Sequence, residues 1–68
     1  MNQAFEQEVT EMLSKFEGTK TEWYHGTLFY ECELESTARS VWNFLVEKFG
    51  LDCVRISRFG YEYAVDFV

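Results

Sequence analysis

One histidine, two cysteines and twelve acidic side chains are the groups with which this 68-residue chain could do chemistry. His25 precedes Gly26, a turn signal, and reads as a solvated turn residue. Nucleophilic catalysis would need a thiolate in contact with an imidazole that a third group orients. Cys32 is expected on the buried side of a sheet and Cys53 on the opposite side, and neither is placed by His25. A metal site needs three or four convergent ligands, and no Cys-x-x-Cys or His-x-x-x-His spacing occurs. Glu31, Glu33 and Asp66 carry carboxylates suited to calcium, but no loop with alternating carboxylates wraps them. Gly26 and Gly60 are isolated, neither between a strand and a helix, so no phosphate cradle forms. These residues point away from an enzyme and imply no cofactor and no metal.

The elements that must position these groups follow from periodicity. Phe5, Val9, Met12 and Phe16 recur at four, three and four residues, one stripe of a helix over 3–17, with Asn2 as cap and Gly18 as stop. Residues 20–24 and 27–34 read as a hairpin around His25-Gly26; a single long strand bulged at Gly26 is the alternative. From Leu28 the alternation sends Leu28, Tyr30, Cys32 and Leu34 one way and Phe29, Glu31, Glu33 and Glu35 the other. Residues 37–49 form a second helix, with Ser36 as N-cap and Ala38, Trp42, Leu45 and Phe49 as its stripe; Phe44 lies about 120° away and is at best half buried. Residues 51–57 and 61–68 form two more strands around the loop Arg58-Phe59-Gly60.

The order helix, strand, strand, helix, strand, strand predicts an α+β two-layer sandwich in one domain, residues 1–68. Two amphipathic helices cover one face of a four-stranded antiparallel sheet and leave the other face to solvent. The expected core is Phe5, Val9, Met12, Phe16, Leu28, Tyr30, Trp42, Leu45, Phe49, Val54, Ile56, Tyr63, Val65 and Phe67. So short a chain needs a dense core, and seven Phe, four Tyr and two Trp supply it.

Charge narrows the function. The net charge is −6, which argues against direct nucleic-acid binding. No apolar run approaches the ~20 residues of a membrane span. Residues 1–6 carry neither a basic nor an apolar signal segment, and two thiols are few for a small secreted domain. The expected location is the cytoplasm, with both thiols reduced. Residues 1–35 hold eight acidic residues against Lys15 and Lys20, whereas 36–68 are balanced at four against four. All the net charge thus comes from the first half.

The open sheet face is expected to carry Glu31, Glu33, Glu62 and Asp66. Carboxylates are poor strand formers, and like charges on neighbouring strands cost stability. Same-face residues on a strand lie about 6.8 Å apart, close to the separation of successive phosphates on a DNA strand. Such rows suit a partner with a basic nucleic-acid-binding groove, with Phe29 and Phe44 as aromatic anchors nearby. In size, acidity and aromatic content the chain resembles the small phage-borne inhibitors of bacterial defence, among them anti-CRISPR proteins and DNA mimics. That resemblance implies a stoichiometric, monomeric inhibitor in the host-cell cytoplasm that occupies the DNA-binding site of a defence complex. The rival expectation is an interaction module, such as a homodimerising regulator or accessory subunit, pairing through its open face or an edge strand.

Overall fold

A computed structural model describes residues 3–68. Its elements run α1 (Gln3–Leu13), β1 (Thr19–Tyr24), β2 (Thr27–Cys32), α2 (Glu35–Phe49), β3 (Val54–Phe59) and β4 (Glu62–Phe67). The strands form one antiparallel sheet in the order β1-β2-β4-β3. Two hairpins therefore meet at β2 and β4, and α2 carries the chain from a central strand to the far edge.

Local chemistry sets each boundary. Helix α1 stops at Leu13, short of the expected residue 17. Ser14 folds back there, its hydroxyl donating to the Glu11 carbonyl at 2.6 Å. Phe16 keeps its place in the apolar rhythm but leaves the helix, and its ring meets Phe44 of α2 at 5.7 Å. The expected cap Asn2 lies outside the described residues. The β1–β2 turn is the two-residue connection expected: His25 at φ 50° and Gly26 at φ 81° give the positive φ pair of a type I′ turn. Strand β2 ends at Cys32, two residues early. Helix α2 starts at Glu35, with Leu34 at its N-cap and no side-chain cap; Ser36, the expected cap, lies inside the first turn. Leu34, expected inward, is 64% exposed. Gly50 ends α2 as expected, its N–H donating to the Val46 carbonyl. Strand β3 begins at Val54 rather than 51 and runs through Phe59, which pairs with Glu62. The β3–β4 loop is thus Gly60-Tyr61, a two-residue turn in place of the expected three-residue loop Arg58-Phe59-Gly60, with Arg58 and Phe59 inside β3.

The two helices lie on one sheet face. Val9 and Leu13 of α1 and Ala38, Val41 and Leu45 of α2 meet Leu28, Tyr30, Val54, Tyr63 and Val65 from the sheet. Phe5 makes edge contacts with Trp23, Phe49 and Phe67. The Trp23 indole N–H donates to the Thr10 hydroxyl at 2.9 Å, so the one polar atom of that ring is satisfied. The expected stripe of α2 is rotated by about one residue: Val41, which flanks it, is fully buried, while Trp42 is 38% exposed and touches Tyr63 edge-on. Ala38 and Leu45 fit either centre of the stripe, and the larger side chain of the 41–42 pair is the one at the margin. Cys32 faces the helices within 3.3 Å of the Thr19 hydroxyl, and Cys53 is exposed; both are free thiols.

Two outcomes follow. Leu45→Ala should cost about 2–5 kcal/mol, and Trp42→Ala distinctly less, in urea unfolding; the reverse order would contradict this assignment of the α2 faces. The second concerns Tyr30, whose hydroxyl donates to the Ala38 carbonyl at 3.2 Å inside the core. Burial, with smaller contributions from Cys32 and Tyr63, pushes its phenol well above the ordinary value of 10.0. In the unfolded chain the phenol ionises near that ordinary value, while the folded protein retains the proton. Stability from Tyr30 is therefore complete below pH ~10 and is lost above it. The alkaline fall in melting temperature should be shallower in Tyr30→Phe than in wild type.

Candidate functional site

The open face of the sheet is a grid defined by strand register. One row across the sheet reads Lys20, Glu31, Glu62, Phe59. The next reads Glu22, Phe29, Ala64, Ser57, and the third Tyr24, Thr27, Asp66, Arg55. These residues alternate with the buried Leu28, Tyr30, Tyr63 and Val65, which places them on the face the helices leave uncovered. The face holds the carboxylates of Glu22, Glu31, Glu62 and Asp66 against the cations of Lys20 and Arg55.

Glu31 and Glu62 are directly opposite on the two central strands. Side chains so placed have Cβ atoms about 4.5–5.5 Å apart, and like charges there destabilise the sheet. Among the described residues, the sole ion pair is Arg58–Glu35 at 2.8 Å, so neither Lys20 nor Arg55 closes on a carboxylate of the open face. Asp66 accepts a hydrogen bond from the Thr27 hydroxyl at 2.6 Å. Glu62 and Asp66, four residues apart on β4, are about 13 Å from one another. Phe29 is half-buried in the middle row, between Glu22 and Ala64.

Four of the six expected site residues thus share one surface: Glu31, Glu62, Asp66 and Phe29. Glu33 does not extend the Glu31 row along β2. It lies one residue past that strand, its N–H donating to the Gly18 carbonyl at 3.2 Å. Its side chain crosses Gly18 so closely that a Cβ there would come within 3.2 Å of the Glu33 carboxyl carbon, and φ is +77°. The positive φ is what favours glycine at 18, since the exposed Glu33 side chain can move aside. Phe44 is also apart, in the helix layer. Its ring packs on Phe16 and lies under the Lys15 ammonium, 4.0 Å from the centroid, so it is no free anchor. Glu22 was missed from the sequence. The alternation that sends Trp23 inward also sends Glu22 out, beside Phe29, and that signal was available.

The chemistry of the other groups is limited by their separation. His25 sits in the β1–β2 turn and Cys32 at the opposite end of β2, a strand length of about 17 Å. Cys53 lies across the width of the sheet, where its carbonyl accepts from Val68. Among the described residues no group of three or more His, Cys, Asp and Glu converges on a point where a metal ion would be held. No helix among them is long and apolar enough to cross a membrane. What the open face can do is present negative charge around an aromatic ring.

No known protein family, curated protein or solved structure matches the chain.

The opposed carboxylates make a stability prediction. Glu62→Gln should raise stability by about 0.2–1 kcal/mol, the usual scale of a cross-strand pair, and Glu31→Gln by less, because it also gives up the attraction of Lys20 opposite. The gain should shrink as salt screens the repulsion. Urea midpoints at low and high ionic strength test this; a loss in both variants would show that the two carboxylates do not repel.

Proposed function

We propose that this chain is a non-enzymatic inhibitor that docks its acidic open sheet face into the basic nucleic-acid-binding groove of a partner protein. One observation carries the reading. Glu31 and Glu62 stand opposed on the central strands, and the one cation in their row, Lys20 opposite Glu31, does not close to ion-pair distance. Uncharged side chains there would suit the fold better. An arginine- or lysine-rich groove supplies the missing positive charge and relieves the repulsion on binding, so a cost in the free protein becomes a gain in the complex.

The remaining parts of the face fit the same use. Glu22 and Asp66 extend the negative field one and two rows from the central pair. Phe29 offers a ring against which an arginine guanidinium can stack while its nitrogens reach the flanking carboxylates. A net charge of −6 speeds encounter with a basic partner. The partner's own ligand would be nucleic acid, whose place this face would take in the manner of the phage-borne inhibitors that the chain resembles.

The test is a pull-down from bacterial lysate, followed by titration of the retained nucleic-acid-binding protein. Wild type should bind it in competition with DNA, and binding should weaken steeply from low to physiological salt. Glu31→Lys with Glu62→Lys should abolish binding with the fold intact, because both side chains point to water. A double variant that binds as tightly as wild type would sink the proposal.

A further inference from the structure

The charge pattern reverses at one edge of the sheet. Strand β3 is hydrogen-bonded to β4 on one side only, so alternate backbone N–H and C=O groups face outward. Its six residues, Val54–Phe59, contain no proline and no carboxylate. Arg55 stands on the open face and Arg58 on the helix-covered face. In a chain of net charge −6, two cations on one strand are a local inversion. Arg55 is exposed and makes no ion pair among the described residues; its register partner Asp66 accepts a hydrogen bond from Thr27.

Helix α2 adds to this edge. Arg58 lies over the Tyr63 ring at 5.5 Å, and Trp42 meets the same ring edge-on at 6.2 Å. A shallow cavity of about 380 Å³ runs between strand and helix, lined by Glu35, Arg39, Trp42, Asn43, Arg58 and Tyr63. Its polar lining is mostly donors. The one carboxylate, Glu35, is held to Arg58 by an exposed bridge that costs little to displace.

We propose that the free edge of β3 is a docking strand for an extended acidic peptide segment of a partner protein. A second copy of this chain is disfavoured, because pairing β3 with β3 would line up two Arg55 and two Arg58 along one seam. The same arginines that repel a second copy attract a strand of opposite charge. Added beside β3, such a peptide continues the backbone ladder. Its alternate carboxylates meet Arg55 on one face, in the two-pronged geometry that guanidinium favours, and on the other Arg39 with the Arg58 Nη1 that Glu35 would release, the Arg58 Nε staying on the Gly60 carbonyl. Trp42 covers an apolar residue between them. The β3 edge adjoins the acidic face, with Arg55 beside Asp66, but the docking uses neither Glu31 nor Glu62, so the Glu31→Lys, Glu62→Lys variant tests the proposed function and the Arg55→Glu variant tests this inference.

The experiment is an amide NMR titration with a capped peptide of alternating glutamate and valine, against its lysine-for-glutamate counterpart. Shifts should be confined to Val54–Phe59, the outer end of α2 and the Trp42 indole N–H, and should be absent with the lysine peptide. Glutamate peptides N-methylated at alternate residues, one for each register, should bind in at most one register, because the other loses its ladder. Arg55→Glu should weaken binding at least about tenfold, and Arg55→Glu with Arg58→Glu further. If the double variant fails to fold, the single one decides, since Arg55 is exposed. Undiminished binding by both methylated peptides, equal binding of the lysine peptide, no shifts at β3, or a dimer formed through β3 in light scattering would each overturn the proposal.

Discussion

The register between β2 and β4 is the constraint on which the core and the open face both depend. Tyr30 and Tyr63 are opposite in that register, and their rings stack at 5.0 Å with planes 11° apart. The stack sits at the junction of the two hairpins. The Tyr30 hydroxyl reaches across the layer to the Ala38 carbonyl and ties α2 to the sheet. The next pair in the same ladder is Glu31 opposite Glu62, pointing the other way. A slip of one residue would relieve the carboxylates, but it would also turn every side chain of one strand to the wrong face. Burial of Leu28, Tyr30, Tyr63 and Val65 therefore enforces the juxtaposition of charge. A cost of about 0.2–1 kcal/mol for one like-charged pair is small beside the 1.5–3 kcal/mol from burying each large apolar side chain.

Aromatic geometry explains how so short a chain closes its layers. Phe5, Trp23, Phe49 and Phe67 come from α1, β1, α2 and β4, and Phe5 touches all three of the others. One side chain thus links both helices to an edge and a centre of the sheet. Each such ring pair is worth about 0.5–1.5 kcal/mol beyond its buried area. Phe16 and Phe44 repeat the arrangement at the other end of the helix layer, with Lys15 covering Phe44. Of the exposed rings, Phe59 and Tyr61 sit at the β3–β4 turn with Trp42 beside the same hairpin, and Tyr24 sits at the opposite turn between β1 and β2.

The element order, the two-layer architecture and the inward faces of the central strands were legible in the sequence, because period-2 and period-3.6 burial leave their marks directly. Boundaries were less legible for a physical reason. Apolar rhythm reports burial, and Phe16 is half-buried against Phe44 after the helix has already ended. Trp42 shows the complementary error: the larger side chain seemed the core member, yet the smaller Val41 fits under the helix. The open face was half legible. Alternation placed Glu31, Glu62, Asp66 and Phe29 together, but which strands are neighbours depends on long-range pairing that no local pattern encodes. The contact of Glu31 with Glu62, rather than a row of Glu31 with Glu33, came only with the β1-β2-β4-β3 order.

That strand order also sorts the charges. It puts the two halves of the chain side by side through their central strands. The acidic first half supplies Glu22 and Glu31 on one side of the junction, and the balanced second half supplies Arg55 and Arg58 at the far edge. The sheet is thus negative across its middle and positive along β3. Exposed charges further apart than about 8–10 Å barely interact at physiological salt. Glu22 on β1 and Arg55 on β3, three strand spacings of ~4.8 Å apart, lie beyond that range, whereas Asp66 on β4 and its register partner Arg55 lie within it. A uniformly acidic sheet would carry one sign of charge from edge to edge, whereas this division sets Arg55 and Arg58 on the edge strand directly beside the acidic face.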